Sequence, residues 1–129
     1  MLNLTDIDQG ARNLLINCAQ LKAGDSLLIV AEKQSCGWYK ANATKSVSKV
    51  AKKLKINFKI LQVEGPEASS SSELETIMQS YDCTIFFARL GDQDRFETSK
   101  ILGKRVMCYA RSAKDLASRD VVSRAMTIE

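Results

Sequence analysis

Apolar positions follow two rhythms along the chain. From Asp6 to Leu21, Ile7, Ala11, Leu14, Leu15, Cys18 and Ala19 recur at helical spacing, with Thr5 or Asp6 placed to cap the start and Gly24 just past the end. The turn Lys22-Ala23-Gly24-Asp25 then gives way to Ser26-Leu27-Leu28-Ile29-Val30-Ala31, an unalternating apolar run that predicts a parallel strand buried on both faces. After a polar loop from Glu32 to Trp38, Ala43, Val47, Val50, Ala51 and Leu54 share one face of a second helix, and Lys45, Lys49, Lys52 and Lys53 occupy the other. Asn57 to Glu64 predicts a second strand, poorer in apolar residues and so nearer a sheet edge.

The stretch Gly65 to Ser72, with Pro66 and a run of serines, reads as a loop ending in a capping box of Ser72 and Glu75. A helix through Leu74, Ile77, Met78 and Tyr81 should follow, then a third strand, Cys83 to Ala88. A loop from Arg89 to Asp94 leads to a short helix over Phe96 to Leu102, stopped by Gly103. Lys104 to Tyr109 is the fourth strand, and Ser112 with Asp115 opens a last helix whose inner residues are Leu116, Val121, Val122, Ala125 and Met126. Strands alternating with helices at this spacing predict right-handed crossovers and a parallel sheet. The expected fold is a single α/β domain over residues 1–129, in three layers of the Rossmann or flavodoxin-like kind, with about four parallel strands in the order 2-1-3-4. Its switch point lies between the first and third strands, and a ligand is expected beyond their carboxyl ends.

The length of 129 residues suits one core, and 45% hydrophobic with 26% charged residues is ordinary for a globular chain. No apolar stretch approaches the roughly 20 residues of a membrane span, and Met1 to Asp8 is acidic and polar rather than signal-like, so a cytoplasmic protein without membrane contact is expected. The formal charge of +4 is too mild to imply nucleic acid. The chain has no histidine, which removes the commonest general base and metal ligand and, with them, triad or zinc-hydrolase chemistry confined to this chain. Cys18, Cys36, Cys83 and Cys108 lack zinc or redox spacing, and three of them lie in apolar segments where a thiol packs as a small hydrophobe. No metal site and no cofactor are expected.

The loop after the first strand has one glycine, Gly37, and neither of the glycine-rich phosphate-binding motifs, although Thr44-Lys45-Ser46 superficially matches the end of one of them. Cys36 sits where phosphocysteine phosphatases and phosphotransfer domains carry theirs, but the arginine needed six residues later is Asn42. A helix N-terminus and Lys40 could still lower its pKa; otherwise it is a loop cysteine of no special reactivity. A receiver domain needs an aspartate ending the third strand, where this chain has Ala88-Arg89. Lys33, Lys40, Arg89, Arg95 and Arg111 all fall at or just past strand carboxyl ends and would gather over one edge, either as a site for a phosphate or carboxylate or as solvated loop charges. Trp38 and Tyr39 read as exposed aromatics marking a contact surface, or as a lid over the sheet edge. The lysine face of the second helix reads as a solvated face.

Gly10-Ala11-Arg12-Asn13-Leu14-Leu15 through Cys18, followed by Leu21 to Val30, resembles the opening of the metal-dependent aminopeptidase family of thermophilic bacteria (aminopeptidase T-like proteins). Gly103-Lys104-Arg105-Val106 is similar to that family's glycine-x-arginine-valine approach to a strand, and Asp120 to Met126 to the helix closing its N-terminal domain. The resemblance spans nearly the whole chain. It implies an isolated N-terminal-type domain without the later metal-binding domain that holds the peptidase chemistry. The leading expectation is therefore a non-catalytic ligand-binding or protein-interaction module, taking an anionic small molecule or peptide carboxylate through Lys40, Arg89, Arg95 and Arg111 beside Cys36 and Tyr39, with a homodimer or protein partner as a further option. The alternative is an enzyme: a hydrolase or transferase using Cys36 or a carboxylate such as Asp92, or the front part of a metallopeptidase.

Overall fold

The computed structural model describes residues 4–33, 35, 37, 39–63, 76–88, 104–108, 116 and 126–128. At its centre runs β1 (Ser26–Glu32), whose residues Leu27 to Glu32 are all buried. A strand covered on both faces has no use for alternation, which explains the continuous apolar run. On one side it pairs in parallel with β2 (Asn57–Val63), from Ser26 opposite Asn57 to Glu32 opposite Val63. On the other it pairs in parallel with β3 (Cys83–Phe87), from Leu27 opposite Cys83 to Ala31 opposite Phe87. The chain is thus an α/β protein built on a parallel sheet in which β1 lies between β2 and β3. Among the described residues the sheet continues through β4 (Lys104–Met107), parallel to β3, to β5 (Met126–Ile128), antiparallel to β4.

That last strand corrects one expectation. Met126 pairs opposite Met107 in β5 and does not close a helix. Helical spacing counts Met126 as an inner position, but it is followed by β-branched Thr127 and Ile128, and the outer edge of β4 offers backbone groups that only a strand can satisfy. Leu116 is helical and buried, while Val121, Val122 and Ala125 lie outside the described residues, as do the Ser72–Glu75 capping box and the helix expected over Phe96 to Leu102.

The opening helix, α1 (Leu4–Arg12), starts earlier than its sequence suggests, so that Thr5 and Asp6 lie within it, and it widens into a π-helical stretch over Asn13–Cys18. There the Ala19 N–H donates to the Leu14 carbonyl at 2.9 Å, five residues back, and the Leu21 N–H to the Leu15 carbonyl at 2.9 Å. The wider turn moves Ala19 and Leu21 onto the side of Ala11, Leu14 and Leu15, all of them buried, and leaves Cys18 half-buried. Gln20 at φ 56° ends the helix, so Gly24 is not its cap. Gly24, at φ 92°, instead shapes the turn before β1, where the Lys22 N–H donates to the Asp25 carboxylate at 3.0 Å.

α2 (Ala41–Lys53) buries Ala43, Val47, Val50 and Ala51 and packs against α1, with Lys45, Lys49, Lys52 and Lys53 exposed. Its end is a Schellman motif: the Ile56 N–H donates to the Ala51 carbonyl at 3.0 Å and the Lys55 N–H to the Lys52 carbonyl at 3.1 Å. The left-handed position of that motif, usually glycine, is Lys55 at φ 60°. Ile56 is buried, and the chain passes straight into β2. The described helices include none long and apolar enough to cross a membrane.

At the amino end of the sheet, β1 and β3 are clasped. The Asp82 carboxylate accepts from the Ser26 N–H at 2.9 Å and the Ser26 hydroxyl at 3.1 Å, while the Asp82 N–H lies 2.9 Å from the Ser26 hydroxyl oxygen and 3.1 Å from its carbonyl. Bonds from the Ser26 backbone N–H, then from its hydroxyl, hold the Asp82 carboxyl below its ordinary value of 3.8. A depressed folded pKa contributes stability that is fully present above the ordinary value and is lost as pH falls through the folded one. Urea midpoints for the wild type and Asp82→Asn should accordingly differ at neutral pH and converge as pH drops below 3.8. A constant gap would show that the carboxylate's charge is irrelevant to the clasp. Separately, Lys55→Gly should raise stability by about 1 kcal/mol in chemical denaturation, because a side chain in the left-handed region is strained there and glycine is not.

Candidate functional site

The carboxyl ends of β1 and β3 are neighbours, and the chain leaves them in opposite senses to reach β2 and β4, which is the geometry that opens a crevice in sheets of this kind. The loop that follows β1 enters α2 through Tyr39 and Lys40. It is held by Tyr39, whose hydroxyl donates to the Cys108 carbonyl just past β4 at 3.3 Å and whose ring meets Phe87, the last residue of β3, edge-on at 6.5 Å between centroids and 83° between planes. Tyr39 is only 4% exposed. The contact-surface reading of this residue therefore gives way to the lid reading. A ring flanked by polar loop residues looks exposed in sequence, but it fills the space over the ends of β3 and β4.

Lys40 is exposed at the N-cap of α2, with φ −97° and ψ 140°, and supplies no side-chain cap to the helix; its carbonyl accepts from the Ala43 N–H at 3.2 Å. Lys33 follows β1 directly, its N–H donating to the Val63 carbonyl at 2.8 Å, and its side chain is half-buried. The structure thus places Lys33 and Lys40 at the two feet of one loop on the carboxyl edge. Arg89, Arg95, Arg111 and Cys36 lie outside the described residues.

The residue that sequence reasoning passed over is Glu32. Polarity places it as the first loop residue, yet it is the last residue of β1, opposite Val63 and 4% exposed. Its only signal is adjacency to the apolar run, which cannot distinguish the end of a buried strand from the start of a solvated loop. Its burial puts a carboxylate at the last position of β1, directly before Lys33 in the chain.

Thiol chemistry is not favoured where thiols can be described. Cys83 and Cys108 are buried, and burial raises the pKa of Cys18, so each is held toward its neutral, unreactive form or shielded from solvent. No three metal-ligating side chains gather among the described residues. No protein-family model, curated protein or solved structure matches the chain.

The contacts of Tyr39 assign it a positional role that can be measured. Tyr39→Phe keeps the ring against Phe87 and deletes the hydrogen bond to Cys108, which should lower stability by about 1 kcal/mol. Tyr39→Ala also empties the space above β3 and should lose about 3 to 5 kcal/mol. Equal effects of the two substitutions in urea denaturation would show that the ring packing contributes nothing.

Proposed function

We propose that this chain is a non-catalytic binding module of flavodoxin-like architecture, working in the cytoplasm, that takes a small anion at the carboxyl edge of its sheet. The observation that carries the reading is the loop joining β1 to α2: Tyr39 anchors it over the ends of β3 and β4, and the next residue, Lys40, is thereby presented to solvent at the start of a helix. A cation on an anchored backbone loses less freedom on binding than one on a free loop. The positive end of the helix dipole adds to its attraction for negative charge. Lys33 at the other foot of the loop supports the same sign of ligand. Arg89, Arg95 and Arg111, which follow β3 and β4 in the sequence, would complete the set.

The resemblance to the N-terminal domain of aminopeptidase T-like proteins fits a scaffold role: a parallel sheet that presents a binding edge, with any hydrolytic chemistry supplied by another domain. Inorganic phosphate and small mono- and dicarboxylates are the appropriate probes, because they share the charge and the oxygen acceptors that lysine and arginine recognise. Trp38, the only tryptophan of the chain, stands two residues before Lys40 and provides the readout. Titration should give a saturable change in its emission, and Lys40→Glu should weaken that binding by about tenfold, the equivalent of one charge-assisted hydrogen bond. Absence of a saturable response to every one of these anions would overturn the proposal.

A further inference from the structure

β2 forms the outer margin of the described sheet, and its ladder shows which of its backbone groups are used. The Asn57 N–H donates to the Asp25 carbonyl at 2.9 Å, and the Val63 carbonyl accepts from the Lys33 N–H at 2.8 Å. In a parallel ladder, alternate residues of a strand bond one neighbour through both their N–H and C=O groups, and the residues between them face away. Asn57, Lys59, Leu61 and Val63 are therefore committed to β1. Phe58, Ile60 and Gln62 turn their N–H and C=O groups outward, where no described strand meets them.

Of the devices that usually blunt an edge, this one carries, among the described residues, only a charged side chain. Its pairing to β1 is continuous over seven residues without a bulge, it contains neither proline nor glycine, and its one charged residue is Lys59. Ile60, at the middle of the outward set, is 39% exposed. We propose that β2 pairs antiparallel with β2 of a second copy of this chain, about a two-fold axis passing through Ile60. In that register Ile60 faces its own counterpart and Phe58 faces Gln62 in both directions. Every outward N–H and C=O of the strand then finds a partner in a hydrogen-bonded pair. Lys59 falls opposite Leu61 of the second copy. The register centred one residue earlier would set Lys59 against Lys59, and like charges directly opposite are repulsive. The register centred one residue later leaves Phe58 without a partner in the facing strand, so the Ile60-centred register alone pairs all three outward residues, and a self-complementary surface is what a two-fold dimer requires. The inference stands apart from the anion site, which occupies a different edge of the sheet.

Sedimentation of the full chain from about 1 to 100 micromolar, a range that brackets ordinary self-association constants, tests it. The wild type should shift from one chain to two with rising concentration. Ile60→Lys and Ile60→Glu should each sediment as one chain throughout, with unchanged far-ultraviolet circular dichroism, because each sets like charges face to face. An equimolar mixture of the two variants should recover the two-chain species, a result that loss of packing within one chain could not give. If Ile60→Lys does not fold, Gln62→Pro serves instead: it removes an outward N–H, leaves the ladder to β1 intact, and should weaken dimerisation by about tenfold. A wild type that remains a single chain at every concentration overturns the proposal and leaves the edge to a strand of another protein. A dimer that survives Ile60→Lys, or a mixture that stays monomeric, overturns it equally.

Discussion

The parallel pairing of β1 with β3 is the constraint from which the other features follow. Leu27 to Ala31 and Cys83 to Phe87 are buried on both faces, so each strand must be covered above and below, and the chain can return to the same end of the sheet only through crossovers. Because both strands point the same way, their amino ends meet at one edge, where Asp82 and Ser26 clasp them, and their carboxyl ends meet at the other, where Tyr39 closes over β3. One edge is bound by short-range hydrogen bonds that fix register. The other carries the cations.

That division of labour explains which features were readable in the chain. Ser26 to Ala31 could be placed as a strand because a doubly buried strand and a continuous apolar run are the same statement, and α2 could be placed because Ala43, Val47, Val50 and Ala51 repeat at 3.6 residues against a lysine face. Features set by backbone hydrogen bonding left no such trace. The π-helical turn at Asn13–Cys18 shows only as a shift of the buried positions from Cys18 to Ala19 and Leu21, and the stop of α2 rests on Lys55 in a conformation that normally announces itself as glycine. Helical spacing misassigns Met126 because three strand residues are too few to show a period, and their placement is decided by the edge of β4 rather than by their own pattern.

The candidate site was legible as a location and less so in its parts. Lys40 could be assigned to the carboxyl edge from strand order alone, and it lies there. Sequence leaves Tyr39 between a contact surface and a lid and places Glu32 in the loop, because whether a residue beside a strand end is buried depends on neighbours supplied by distant segments: Phe87 and Cys108 for the tyrosine, the β1–β2 ladder for the glutamate. Thr84 makes the same point inside β3. Its hydroxyl is buried without a partner among the described residues, an arrangement that costs about 1 to 3 kcal/mol and that no local rule of sequence would choose.

The two open edges of the sheet bear on each other through geometry. Pairing β2 antiparallel with its own copy would extend the sheet across the two-fold axis, and the strands of the second copy would then run opposite to those of the first. The carboxyl ends of the two halves would therefore open on opposite margins of the joined sheet, each with its own Lys33, Tyr39 and Lys40. Neither copy's loop could complete the other's site, so binding at one would be felt at the other only through β1 and β2. Since Lys33 joins the end of β1 to Val63 of β2 by a backbone hydrogen bond, a ligand that moved the loop foot would act directly on the strand that would form the dimer. Coupling between the edges would run through that bond rather than through any shared cavity.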